Sequence, residues 1–182
     1  EPYPVIVKDN TITGITSGAG VSISGRGNCV DGNTITNSAS GITISGFGTT
    51  GWDGSPVDDN NIISNNVITS NVAGAVGIKV LGDNNTIDSN TTNGNTNSGF
   101  SFDSRSQNNI ITNNVANNNG QYGFYFGVDS TGHTFTGNTA SGNGIVDIEG
   151  LTSASPTGPF TISGSGGGDC AQIGNWEQSS KT

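Results

Sequence analysis

Apolar and polar residues alternate in short stretches along most of the chain, and Asn, Ser and Gly interrupt each stretch. Alternation with a period of two indicates a β-strand with one buried face, and the interrupting residues are typical of turns. No window shows the sustained apolar spacing of 3.6 residues that an amphipathic helix requires. The pattern therefore predicts many short strands joined by tight turns.

The short stretches belong to a repeat that six asparagines mark, at separations of 23, 33, 24, 24 and 24 residues. The six are Asn10, Asn33, Asn66, Asn90, Asn114 and Asn138. Five residues before each marker stand, in order, Val5, Asn28, Asn61, Asn85, Asn109 and His133. Repeats of about 20 to 50 residues indicate a solenoid, a propeller or an array. His133 is the only histidine, and its position favours a substitute for Asn in the repeat over a general base.

One repeat of roughly 24 residues holds about three short strands, which predicts one rung of a parallel β-helix with a rise of about 4.8 Å. Equivalent apolar residues should then stack in columns, such as Val30 on Ile63 on Ile87. The marker asparagines should stack likewise and hydrogen bond from rung to rung, because a buried amide without a partner costs free energy. We expect about six rungs over residues 1–150, then an extra strand or cap and a Gly/Ser-rich tail over 151–182.

The Asn-Thr-Ile-Thr motif of residues 10–13 and 33–36 and the Gly-Ile-Thr-Ile of residues 41–44 carry a family resemblance. The chain resembles the right-handed parallel β-helix proteins with NosD-like or pectate-lyase-type repeats, over about residues 5–150. That resemblance implies an all-β, right-handed solenoid. It selects no function, because the superfamily includes lyases, epimerases, hydrolases, accessory proteins, tailspikes and inert surface domains.

The charge and composition of the chain limit the classes of partner that it can bind. The net charge of −9 and the pI near 4.1 disfavour nucleic acid and anionic membranes, which attract Lys/Arg patches. No apolar run is long enough to insert into a bilayer. A surface rich in Ser, Thr, Asn and Gly and poor in Lys favours an extracellular or cell-surface location. The chain begins with Glu1, so we expect it to derive from a longer precursor.

Two cysteines, Cys29 and Cys170, predict a disulfide in an oxidising compartment. Three arrangements stay open. Residues 151–169 can run back along the rod and allow a bond within one chain. The cysteines can instead join molecules stacked end to end, or remain free thiols.

The long second repeat contains nine or ten extra residues between Gly46 and Asp59. Loops that leave a rigid scaffold often carry binding residues. Trp52 suits stacking on a sugar ring, with Asp53, Asp58 and Asp59 accepting hydrogen bonds from hydroxyls or holding Ca²⁺. The alternative is that Trp52 covers an apolar column as a lid. With one His and two distant Cys, we expect no transition-metal site and no other cofactor.

One residue of each strand that follows a repeat glycine should face outward, and these residues should form a row along the rod. This row contains Ser22, Thr43, Lys79, Ser101, Tyr125 and Asp147. Lys79, Asp103, Arg105 and Tyr125 should lie on neighbouring rungs of one face. Such a set suits a polysaccharide lyase or epimerase, in which a base removes a proton, a cation neutralises the substrate carboxylate and a Tyr or Lys protonates the leaving oxygen. The alternative is an ordinary solvated face.

A third interpretation is ice binding, because Thr11-Ile12-Thr13 and Thr34-Ile35-Thr36 align threonines on one face. Residues 67–69, 91–93 and 115–117 replace part of that threonine array. The sequence favours a non-catalytic, extracellular structural solenoid, a cell-surface or fibre module that associates head to tail and presents a neutral face to polysaccharide. The alternative function is a lyase or epimerase fragment that acts on acidic glycans.

Overall fold

The computed structural model describes residues 4–45, 60–72, 74–104 and 106–150. These ranges contain strands and turns and no helix. Each rung supplies three short strands. The first three rungs are β1 (Ile6–Lys8), β2 (Thr11–Thr13), β3 (Val21–Ser24); β4 (Cys29–Asp31), β5 (Thr34–Thr36), β6 (Ile42–Ser45); β7 (Ile62–Ser64), β8 (Val67–Thr69), β9 (Ile78–Leu81). The last three are β10 (Thr86–Asp88), β11 (Thr91–Asn93), β12 (Phe100–Phe102); β13 (Ile110–Thr112), β14 (Val115–Asn117), β15 (Tyr122–Phe126); β16 (Thr134–Thr136), β17 (Thr139–Ser141), β18 (Val146–Glu149).

The strands form three parallel sheets of six, and each sheet takes one strand from every rung. Sheet A contains the first strand of each rung, sheet B the second and sheet C the third. Every pairing between neighbouring rungs is parallel. The predicted parallel β-solenoid is therefore confirmed.

The core lies between the three sheets, and its side chains stack as predicted. In sheet A, Val30 pairs with Ile63, which pairs with Ile87. All three are fully buried. In sheet C the phenylalanines stack face to face, with ring centroids 4.7 Å apart for Phe100 and Phe124. Branched aliphatic and aromatic residues at alternate positions thus fill the interior while the intervening residues face outward.

Three asparagine ladders run along the corners where the chain turns from one sheet to the next. Within the first, Asn66 donates from its backbone N–H and its Nδ2 to Oδ1 of Asn90, at 3.0 and 2.9 Å. Asn90 repeats the same pair of bonds to Asn114. The predicted stacking of the six marker asparagines is confirmed. A second ladder joins Asn28, Asn61, Asn85, Asn109 and His133.

The third ladder was not recognised in the sequence. It joins Ser38, Asn71, Asn95, Asn119 and Asn143. Its members follow the marker asparagine by five residues, so the repeat does contain the signal. In all three corners, a residue with positive φ precedes most ladder residues, such as Asn65 (φ 55°) before Asn66 and Asn118 (φ 55°) before Asn119. Asn and Gly tolerate this left-handed conformation better than other residues, which explains their abundance.

The glycine that precedes the strands of sheet C is required for a steric reason. A Cβ on Gly77 would lie 2.5 Å from the carbonyl oxygen of Gly99 and 2.8 Å from Cβ of Thr92. Gly41 and Gly99 face the same obstruction from the backbone of the next rung. The chain approaches its neighbour too closely here for any side chain.

Candidate functional site

The predicted carbohydrate-binding loop lies outside the described residues. That holds for Trp52, Asp53, Asp58 and Asp59, so their proposed roles in binding sugar or Ca²⁺ stay predictions. In the described ranges, no group of three or more His, Cys, Asp and Glu side chains could hold a metal ion.

The proposed catalytic set is brought together only in part. Lys79, Ser101 and Tyr125 occupy one outward column of sheet C, in that order. Lys79 and Tyr125 are therefore two rungs apart, about 10 Å along the rod by strand spacing. Asp103 is exposed just beyond β12, and Arg105 is outside the described residues.

The last member of that outward row was predicted incorrectly. Tyr125 pairs with Glu149 and not with Asp147, because Phe124 is in register with Ile148. Asp147 instead turns back to the corner, where its Oδ1 accepts from Nδ2 of Asn143 at 2.7 Å. The sequence pattern missed this because the sixth repeat lacks the glycine that fixes the register in the others.

His133 is the last residue of the second ladder and lies in a buried, largely aromatic environment. Its ring is fully buried and lies tilted against the stacked rings of Phe102 and Phe126, with centroids 5.6 and 5.3 Å away. Nδ1 accepts from the backbone N–H of Asn109 at 3.1 Å, so Nε2 carries the proton and donates to Oγ of Ser130 at 2.8 Å. Burial lowers the pKa of His133 to about 4. It is a neutral structural residue, as its place in the repeat predicted.

A small polar cluster surrounds Asp31 on the outward side of sheet A. Its carboxylate accepts from Oγ of Ser64 at 2.7 Å and Nδ2 of Asn65 at 2.8 Å, and pairs with Nζ of Lys8 at 3.0 Å. Burial alone would raise the pKa of Asp31, but these hydrogen bonds and the lysine charge together lower it below its ordinary 3.8. The cluster links rungs one, two and three through the carboxylate of Asp31.

Cys29 also faces outward from sheet A, yet its side chain is fully buried. It is disulfide-bonded. Cys170 lies outside the described residues, so the choice between a bond within one chain and a bond between molecules stays a prediction.

The most regular surface is the outward side of sheet B, which has two rows of six side chains. The first row contains Thr11, Thr34, Val67, Thr91, Val115 and Thr139. The second row contains Thr13, Thr36, Thr69, Asn93, Asn117 and Ser141. Every member of the first row is β-branched, and every member of the second is a small hydroxyl or amide residue. Threonine occupies four of the six positions in the first row and three of the six in the second, so the threonine array is incomplete, as the sequence indicated.

None of these twelve side chains is charged, although the outward positions of sheet A include Lys8, Asp31 and Asp88 and those of sheet C include Lys79 and Glu149. The second row is also linked along the rod. Oδ1 of Asn117 accepts from Oγ of Ser141 at 2.9 Å, and Oδ1 of Asn93 accepts from the backbone N–H of Asn117 at 2.8 Å. Neutral groups are thus held at the rung repeat of about 4.8 Å.

In comparisons with known proteins, residues 3–167 match the model of a family described as the right handed beta helix region. No curated protein and no solved structure matches the chain. Among the described residues, no helix has the length and apolar character needed to cross a membrane.

Proposed function

The chain belongs to the family of right-handed β-helix proteins, and on this scaffold we propose that it is a non-catalytic structural domain outside the cell whose sheet B face contacts neutral polysaccharide. The observation that carries this proposal is the pair of uncharged rows on sheet B. The fold alone supplies no activity, since this scaffold serves many functions.

The chemistry of the two rows suits neutral sugars. Hydroxyl and amide groups of Thr, Ser and Asn both donate and accept hydrogen bonds, as sugar hydroxyls do. The methyl groups of the first row supply apolar contact area for the C–H faces of sugar rings. An uncharged surface also avoids the desolvation cost that an ion would incur against a neutral ligand. The β-branched side chains lose little freedom on binding, because their χ1 angles are already restricted.

Two features support a location outside the cell. Cys29 is disulfide-bonded, and disulfides persist mainly in oxidising compartments. The described surface is dominated by neutral polar residues with few lysines, as the composition indicates.

A binding experiment with two lysine variants tests the proposal. Thr91 and Thr86 are both the first residue of a three-residue strand on the fourth rung, and both are half-buried, but Thr91 is in sheet B and Thr86 in sheet A. Thr91→Lys should weaken binding to insoluble neutral glucans or chitin about tenfold, or about 1.4 kcal/mol, whereas Thr86→Lys should bind like the wild type. Equal binding by both variants, or no binding by the wild type, would contradict the proposal.

Ice is a second candidate ligand, which the unbroken β-branched first row favours. Its test is the freezing behaviour of ice crystals in solutions of the same two variants. Crystal shaping that Thr91→Lys abolishes and Thr86→Lys preserves would assign the face to ice, provided that neither protein binds polysaccharide.

The alternative of a lyase or epimerase rests on Lys79 and Tyr125, which share one column of sheet C. Incubation with alginate or pectate, followed by the absorbance of an unsaturated product, tests lyase chemistry. Product formation that Lys79→Ala abolishes would replace the structural proposal with an enzymatic one.

A further inference from the structure

Two segments of the chain carry the acceptor pattern for N-linked glycosylation, which is Asn-x-Ser/Thr with x other than Pro. They are Asn84-Asn85-Thr86 and Asn90-Thr91-Thr92. The pattern alone is weak evidence in a chain so rich in Asn and Thr. A glycan is bulky and requires a surface position, so the place of each asparagine in the fold determines whether it can carry one.

Asn90 has no room for a glycan in the folded protein. It is fully buried within the first ladder. Its Nδ2, the atom to which a glycan would be attached, donates to the carbonyl oxygens of Ile63 and Asp88 and to Oδ1 of Asn114, at 2.8, 3.0 and 3.0 Å. A sugar would replace one of the two hydrogens of this nitrogen and would break the ladder. The second of the two patterns is therefore closed to modification once the chain has folded.

Asn84 occupies a different kind of position. It lies in the turn between β9 and β10, has a φ of 55° and is partly exposed. The residue that belongs to the ladder is the next one, Asn85, which is fully buried. The backbone N–H of Asn84 donates to the carbonyl oxygen of Gln107 at 3.0 Å, so the neighbouring rung holds the turn in place. A modified side chain at Asn84 can extend into solvent without breaking a ladder.

The neighbouring rungs have the same turn without the acceptor pattern. Asn60 and Asn108 occupy the equivalent positions, and both are exposed and have positive φ. Two residues after them come Ile62 and Ile110, which are in register with Thr86. Of these three turns, that of the fourth rung is the one in which a hydroxyl residue completes the pattern.

The turn with Asn84 also lies away from the face proposed to bind polysaccharide. β9 belongs to sheet C and β10 to sheet A, so this turn forms the corner between those two sheets. Of the three corners of the rod, it is the one that does not border sheet B. A glycan on Asn84 would leave the two uncharged rows accessible, whereas Asn90 lies at the corner between sheets A and B.

We propose that Asn84 is the site of N-linked glycosylation in this protein and that Asn90 stays unmodified. A glycosyltransferase of the export pathway would form a bond between Nδ2 of Asn84 and the anomeric carbon of the first sugar. The bond from that carbon to the phosphate of a lipid-linked oligosaccharide donor breaks, Nδ2 gives up one proton, and the lipid phosphate is the leaving group. The site has a role only in an exported chain, so it rests on the proposed location outside the cell.

The test is secretion of the full chain from a eukaryotic host behind a heterologous signal peptide, followed by mass measurement before and after treatment with peptide N-glycosidase. The wild type should carry one glycan, and its release in heavy-oxygen water should label residue 84. Asn84→Gln should carry none, although the pattern at Asn90 is intact. Asn108→Gln is the matched control, because Asn108 occupies the same turn one rung later and belongs to no acceptor pattern. It should keep the glycan.

Two further variants test the pattern at this corner. Thr86→Ala should abolish the glycan while Asn84 is retained, and Ile110→Thr should add a second glycan on Asn108. A secreted wild type without a glycan, or with a glycan on Asn90, would overturn the proposal. So would Ile110→Thr without a second glycan, since the turn would then not present its asparagine to the enzyme.

The outcome for this site is separable from the outcome for the proposed function. The heterologous signal peptide exports the chain whatever its natural location, so the absence of a glycan would leave the polysaccharide contact of sheet B standing. Conversely, a secreted protein that carries a glycan on Asn84 but binds no polysaccharide would contradict the proposed function alone.

Discussion

The ladder amides allow a direct test of what holds the solenoid together, through the substitution Asn90→Leu. Asn90 is fully buried at the middle of the first ladder. Its Oδ1 accepts from the N–H and Nδ2 of Asn66, and its Nδ2 donates to the carbonyl oxygens of Ile63 and Asp88 and to Oδ1 of Asn114. Leucine has a similar size but makes none of these bonds.

The expected loss follows from the groups left behind. The buried backbone N–H of Asn66 loses its acceptor, whereas Nδ2 of Asn66 keeps the carbonyl oxygens of Val30 and Ser64. The bonds that Asn90 donates to Ile63, Asp88 and Asn114 are also lost. An unsatisfied buried donor costs about 1–3 kcal/mol and each further lost hydrogen bond about 0.5–1.5 kcal/mol. Burial of the leucine side chain returns about 1–2 kcal/mol. We therefore expect Asn90→Leu to lower the free energy of unfolding by about 3 kcal/mol, a large part of the roughly 5–15 kcal/mol typical of a domain.

The control is the same substitution at the exposed end of the same ladder. Asn10→Leu also removes a side-chain bond to the next rung, but Asn10 is exposed and Oδ1 of Asn33 still accepts from the backbone N–H of residue 10. Its cost should be about 0.5 kcal/mol, as for other surface substitutions. Urea unfolding monitored by circular dichroism and tyrosine fluorescence would measure both, since coincident transitions establish two-state behaviour. A difference between the variants of less than about 1 kcal/mol would refute the view that the inner ladder is dry and fully hydrogen-bonded.

Three further predictions concern single residues. Because the folded state lowers the pKa of His133 from 6.5 to about 4, stability should be constant above pH 6.5 and fall by about 3 kcal/mol as pH drops to 4. His133→Asn should remove that part of the decline in urea titrations, and an unchanged pH dependence would contradict this. Gly77→Ala should lower stability by about 1–3 kcal/mol through its clash with Gly99, which thermal melts would detect; an unaltered melting temperature would argue against the close approach. Asp31→Asn should destabilise the protein at neutral pH but much less once the pH falls below the lowered pKa of Asp31 in the folded state, since the hydrogen bonds and Lys8 favour the ionised form; an equal loss in urea unfolding at both pH values would contradict this account.

The internal architecture was predictable because stacking makes each rung impose the same requirement at the same position. Val30, Ile63 and Ile87 are apolar for one reason, which is that each contacts the next, so the period in the sequence is the period in space. The third ladder shows the limit of this logic. The first two rungs carry Ile15 and Ser38 at this position and the other four carry Asn, as many as in the second ladder. The neighbouring turn positions are also rich in Asn, as in Asn117-Asn118-Asn119, so the aligned position does not stand out before the register is known.

The outward face of sheet B was harder to recognise for a related reason. Rung by rung, replacing Thr with Val looks like the loss of a pattern, because the polarity changes. Once the register aligns Val67 with Thr34 and Thr91, the shared property is β-branching rather than polarity. The register of the sixth rung was predicted incorrectly for another reason. Without a repeat glycine, the alternation of Val146, Asp147 and Ile148 fits two registers, and only the pairing of Phe124 with Ile148 distinguishes them.

The interior and the exterior of this protein are constrained by different physics. Inside, an amide that loses its partner is costly, so the ladders admit a substitute such as His133 only where its ring nitrogens take over the bonds. Outside, a Thr, Ser or Asn exposed to water changes the stability little. Strand formation favours the β-branched residues of the first row, but it does not require an outward row to be free of charge. The absence of charge from both outward rows of sheet B is the feature that the proposed contact with polysaccharide would explain.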